Sequence, residues 1–270
     1  MPLSPATTRR LIVVALLLFW ELLPRAGLVP ELFLPPLSKT LAVAVRDIGE
    51  YGRQLLVTLS EVAVSMVFAC GGGILVGAIV GSVALLRRLL LPLVSSLYAV
   101  PLIILYPVFT AWFGIGSESK IAFASVYGFF PTMLGTAAGI QTIDPQLLLA
   151  ARSMGATLAQ RIVRVAVPAA IPTVLSGLRL GGALTIVGVV VCEMLTSSAG
   201  IGYLISRYRT ILDSPHVFAA ILLVLLLAVG FDALVQIVEK RTVVWRSAGR
   251  NAEAASRRAA VAPPPTPAVS

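Results

Sequence analysis

The chain has 270 residues, 58% of them hydrophobic and only 12% charged. That leaves too little polar surface to cover a soluble globule of this size, so a bilayer must act as solvent for much of it. The formal net charge of +9 does not indicate a nucleic-acid-binding domain, because the basic residues are scattered between apolar runs instead of gathered on one face.

Residues 1–10 read as a cytoplasmic N-terminus ending in Arg9-Arg10, followed by an apolar run over 11–23 that carries Trp20 and Glu21. A basic start before an apolar core also fits a signal peptide. No small-x-small cleavage site follows, so an uncleaved first span is expected. Pro24, Pro30, Pro35 and Pro36 mark an extended outer loop, with a short surface helix expected over 39–48.

The second span is expected over 56–85. Within it Gly73, Gly77 and Gly81 repeat at four, which clears one helix face for close packing in lipid. Glu61 reads as a hydrated group near the outer end of this span. Arg87-Arg88 forms an inner turn before the third span, 89–112, where Pro92, Pro101 and Pro107 predict kinks. Tyr98, Tyr106 and Thr110 on this span are candidates for lining a solute pathway, and helix packing is the other reading of each. Glu118 and Lys120 read as an outer loop, and the fourth span, 121–140, carries no charge.

Asp144-Pro145 then opens an arginine-bearing segment over 144–168, an N-cap followed by proline at the first helical position. Ala151, Met154, Leu158, Ile162 and Val165 fall at spacings of three and four, predicting an apolar stripe, while Arg152, Gln160, Arg161 and Arg164 lie off it. Gly155 interrupts the segment and Pro168 closes it. Two short amphipathic helices are expected on the inner side, either docking a partner or resting on lipid headgroups.

The fifth span is expected over 173–195, with Glu193 about one turn from its outer end in a structural or interfacial role. The sixth is expected over 217–238. Residues 242–270, rich in Ala, Arg and Pro, read as a disordered cytoplasmic tail. Placing both termini in the cytoplasm puts fourteen Lys and Arg inside and seven outside. Without Arg246, Arg250, Arg257 and Arg258 the balance is still ten to seven, and the orientation follows from the positive-inside rule. Cys70 and Cys192 sit in apolar runs without metal-ligand neighbours, and His216 is the only histidine, so no metal or catalytic site is expected.

The spacing Ala150-Ala151, three residues, Gly155, nine residues, Val165-x-Val167-Pro168 resembles the EAA loop of ABC importer permeases. Leu149 stands where that pattern has glutamate, and valines replace its isoleucine and leucine. Pro101-Leu102, Trp112-Phe113-Gly114-Ile115-Gly116, Phe129-Phe130-Pro131, Glu193-Met194-Leu195 and Gly200-Ile201-Gly202-Tyr203 resemble the branch that imports nitrate, taurine and aliphatic sulfonates. The resemblance implies an all-α polytopic membrane protein with about six transmembrane helices, the type I ABC importer permease fold, spanning residues 11–241 in a bacterial inner membrane. It implies that Ala150, Ala151, Arg152, Gly155 and Pro168 form a coupling element.

The implied partners are an ABC ATPase subunit, an extracytoplasmic solute-binding protein and a second permease copy. No Gly-x-x-x-x-Gly-Lys-Ser/Thr pattern occurs, so ATP and Mg are expected on the partner subunit, with no cofactor and no nucleic acid on this chain. An ion-gradient-driven secondary transporter is the alternative. That class carries ionisable residues near mid-membrane, and Glu61 and Glu193 lie toward span ends.

Overall fold

The computed structural model describes residues 4–261, and among these every regular element is helical. In lipid each backbone amide and carbonyl must find its partner inside the protein, and a helix supplies one to nearly every residue locally. In chain order the helices are α1 (Pro5–Arg25), α2 (Leu37–Arg46), α3 (Ile48–Met66), α4 (Gly72–Ser82), α5 (Ala84–Tyr98), α6 (Tyr106–Phe113), α7 (Ser117–Gln141), α8 (Pro145–Ser153), α9 (Leu158–Arg161), α10 (Val167–Thr196), α11 (Ile201–Thr210) and α12 (Ser214–Val261). Single π turns, Val67–Gly71 and Ile162–Ala166, join α3 to α4 and α9 to α10 without a break.

Four stretches are long and apolar enough to cross a bilayer: Ile48–Ser82, Ser117–Gln141, Leu158–Thr196 and Ser214–Lys240. Helices α5 and α6 with the 3-10 turn Leu102–Leu105 make a fifth crossing if taken together, bent by 82°. The expected third span is therefore not one kinked helix. Pro101 has no amide hydrogen and disfavours helical backbone at Val100, so the chain turns sharply there.

Of the about six spans expected, the first is not among these four or five candidate crossings of the described residues. Helix α1 has 21 residues, enough for the hydrocarbon core, but it carries Arg9, Arg10, Glu21 and Arg25. It meets the rest of the fold at its C-terminal end. There Trp20 donates from Nε1 to Pro35 O at 3.0 Å, and Glu21 accepts from the Ser38 amide and hydroxyl. The tail expectation also changes. Helix α12 runs on to Val261 through an Ala- and Arg-rich stretch without proline, a composition with high helix propensity. The rest of the tail, 262–270, lies outside the described residues.

The centre of the molecule is α4, α7 and α10, held together by missing side chains. A Cβ on Gly73 or Gly77 of α4 would lie 2.7 Å from Thr132 Cβ or 2.5 Å from Met133 O of α7. Gly135 of α7 and Gly177 of α10 meet so closely that a Cβ on either would lie within 2.8 Å of the other's Cα. The Gly73, Gly77 and Gly81 row is thus a packing surface. Buried hydroxyls beside it fold back on their own helices: Thr132, Thr136 and Thr185 each donate to the carbonyl four residues earlier.

Buried charge lies where the fourth turn of α3 meets the start of α7 and the end of α10. Glu61 is not hydrated, and Lys120 is not on a loop: Lys120 sits in the first turn of α7, and its Nζ lies 2.5 Å from Glu61 Oε1. Ser117 donates to the same carboxylate and Lys120 donates to Ser197 Oγ. Glu193 is wholly buried and structural. It accepts from Thr58 Oγ1 at 2.8 Å and from the Gly202 amide at the start of α11, where the helix dipole favours an anion. The interfacial reading fails because three helices close over both carboxylates.

At the start of α12, His216 bridges two turns of chain, 3.0 Å from Asp47 Oδ2 and 2.8 Å from Asp213 Oδ2. The hydrogen bond from His216, and then Arg46, holds the Asp47 carboxyl below the usual carboxylate range. Toward the other end of the bundle, Arg179 of α10 reaches Asp232 and Glu239 of α12, both at 2.9 Å.

Candidate functional site

The candidate site is the helical hairpin between α7 and α10. Asp144 starts α8 as expected, with its side chain accepting from the Gln146 amide at 2.9 Å and Pro145 at the first helical position. The helix ends in a Schellman motif: the Gly155 amide donates to Arg152 O and the Ala156 amide to Ala151 O, both at 3.0 Å. Gly155 holds the left-handed backbone this requires, with φ +76. Thr157 then caps α9 in a reciprocal box with Gln160.

The expected apolar stripe does not survive this turn. Ala151 is buried under α8, whereas Met154, at 81% exposure, and Leu158 point away from the fold. The spacing of three and four holds only along one continuous helix, and Gly155 breaks it. Pro168 also plays a different part. It stands at the start of α10, where a missing amide hydrogen is tolerated next to the π turn, so it begins the span instead of ending the hairpin.

Ala150, Ala151, Arg152 and Gly155 are brought together on α8 and its cap, and Pro168 lies apart at the foot of α10. Ala150 and Arg152 are exposed, beside Leu147 and Leu149. The element protrudes with leucines, a methionine and three arginines, and has little buried surface of its own. Arg161 was not singled out as a contact residue from its sequence. Its Nε is buried without a hydrogen-bond partner among the described residues.

Of the pathway candidates, Tyr106 is buried, hydrogen-bonded to Thr196 Oγ1 at 2.6 Å and edge-on to Phe123. Thr110, one turn on, donates to Pro107 O, and Tyr98 lies half-buried across the 82° bend.

The family described as binding-protein-dependent transport system inner membrane component matches residues 73–244, well over half the chain and including the whole hairpin. The chain belongs to this family. As such an inner-membrane component it is a permease subunit of an ABC importer and not itself an enzyme.

Its relatives agree along most of their length. The putative aliphatic sulfonates transport permease protein SsuC of Bacillus subtilis (strain 168) is 29% identical over 240 residues, 88% of this chain and 87% of that one. The taurine transport system permease protein TauC of Escherichia coli (strain K12) is 28% identical over 252 residues, 90% and 92% of the two chains. The formylaminopyrimidine transport permease protein ThiX of Halalkalibacterium halodurans is 29% identical over 238 residues, 87% and 94%. Among solved structures, an inward-facing form of the MetNI methionine ABC transporter superposes with a TM-score of 0.56 at 22% identity, covering 68% of this chain and 93% of that chain. This inner-membrane component therefore has the type I ABC importer permease fold.

Proposed function

We propose that this permease imports a small organic or anionic solute of the sulfonate, taurine or nitrate kind, as a homodimer in a bacterial inner membrane with both termini in the cytoplasm. A separate ATPase subunit binds ATP and Mg, and an extracytoplasmic solute-binding protein delivers the solute. The names of the sulfonate and taurine relatives support the solute class. The α8–α9 hairpin supports the coupling role: it is capped at both ends, rigid at its turn, and exposes Leu149, Ala150, Arg152 and Met154.

On this reading ATP closes the ATPase pair, the docked hairpins follow, and the bundle rocks so that its central cavity faces alternate sides. Ala150 and Gly155 allow close approach, Ala151 seats α8 on the permease, and Arg152 meets an acid on the ATPase. Pro168 sets where the hairpin becomes span. Tyr98, Tyr106 and Thr110 remain the proposed polar groups of the third crossing.

Reconstitution in proteoliposomes tests the proposal. The permease alone should hydrolyse no ATP, and with its ATPase subunit and binding protein it should take up taurine or an alkanesulfonate only when ATP is supplied. Uptake driven by a proton or sodium gradient without ATP would establish the secondary-transporter alternative instead.

A further inference from the structure

Beside α8 lies a cleft of about 380 Å³, with Pro145, Leu148 and Leu149 as its apolar wall and Gln146, Arg152 and Arg161 at its polar side. Its charge is one-sided. Asp144 is the only acid in residues 144–168, and its side chain caps α8, while Arg152, Arg161 and Arg164 form no ion pair among the described residues. The buried, unpartnered Arg161 Nε is a charged-group donor removed from water with nothing to receive it, an arrangement that costs free energy until an acceptor arrives.

We propose that this cleft receives a carboxylate-bearing side chain of the ATPase subunit, with an apolar neighbour against Leu148 and Leu149. The docking contact is then acid from the partner onto arginine from the permease. The inference rests on the coupling role proposed above. Leu149 is what keeps the cleft open to that acid. A carboxylate at position 149 would stand three residues before Arg152 on the same helix, within reach of it as an intrahelical partner. It would neutralise the cleft from inside and repel the incoming acid. Leucine at the position where the resembled pattern has glutamate therefore selects for an ATPase with an acidic contact.

The test measures affinity between the purified full-length permease in detergent and its ATPase subunit, across a range of salt concentrations. Arg161→Gln and Leu149→Glu should each weaken binding about tenfold or more and flatten its salt dependence. Arg161→Lys and Leu149→Gln, which keep the charge pattern, should bind within a few-fold of the parent and report that the hairpin is folded. Undiminished binding by Leu149→Glu, or an unchanged salt dependence for Arg161→Gln, overturns the proposal. So does unchanged ATPase binding with a loss of retained anionic lipid, which would make the cleft a headgroup site. Gly155→Leu separates the two readings. If it weakens binding while the cleft variants do not, the hairpin docks but the cleft takes no acid. If it also binds like the parent, the coupling role itself fails.

Discussion

The ammonium of Lys120 lies 2.5 Å from Glu61 Oε1, and both side chains are at least 96% buried, joining the fourth turn of one crossing to the first turn of another. Removing one partner strands the other charge in a low-dielectric site, at a cost of about 3–5 kcal/mol. Lys120→Met should therefore lower the yield and thermal midpoint of the detergent-solubilised permease sharply. Glu61→Gln combined with Lys120→Met should recover most of the loss, because the double variant buries no charge. Equal instability of single and double variants would mean the pair is not the determinant.

The contact between α7 and α10 leaves no room for a methyl group. A Cβ on Gly135 would sit 2.5 Å from Gly177 Cα, a backbone atom that moves only with its whole helix. Gly135→Val should cost about 1–3 kcal/mol by forcing the helices apart. Gly230→Val on α12, where nothing lies within 4 Å, is the matched control. Thermal unfolding monitored by intrinsic fluorescence compares them, and equal midpoints would contradict the close approach.

At Gly155 the argument is conformational. A Cβ there meets nothing within 4 Å, but φ is +76, so a leucine stores about 1–2 kcal/mol of backbone strain. Gly155→Leu should insert into the membrane normally and lose ATP-dependent transport or ATPase assembly. Gly155→Asn, which tolerates the left-handed region, should keep most of both. Normal transport by Gly155→Leu would remove the coupling assignment.

Much of this was legible in the sequence, and the failures have physical causes. The Asp144-Pro145 start and the Gly155 break are local signals, and each appears where the chain alone places it. The glycine row of α4 was legible as a packing face because its period of four is a property of one helix. Glu61 and Lys120 were misread because each was considered alone. A charged residue near a span end looks hydrated until the helix that covers it is known, and that pairing is 59 residues away in sequence. The cleft beside α8 was illegible for the same reason, since Arg152 and Arg161 share it only after Gly155 folds α9 back.

Orientation is open to direct test. Reporter fusions after Arg88, Gly155 and Arg246 should read cytoplasmic, and fusions near Arg46 and Ser117 should read extracytoplasmic, following the distribution of Lys and Arg. An extracytoplasmic signal at Gly155 would put the hairpin out of reach of any ATPase.

Because the π turn joins α9 to α10 without a loop, Leu158–Thr196 is one unbroken helical length of 39 residues. At about 1.5 Å per residue it measures roughly 58 Å, nearly twice the hydrocarbon thickness of a bilayer. It is a lever arm whose N-terminal end carries Arg161 and whose C-terminal end passes directly into Ser197, the residue gripped by Lys120. Tilting such an arm by about 10° around its midpoint swings each end through roughly 5 Å. A sideways push on the inner hairpin thus arrives on the opposite membrane face as a displacement of similar size and opposite direction. The softening along the way lies within the first half of the arm, at the π turn and at Pro172, whose ring removes a helical hydrogen bond.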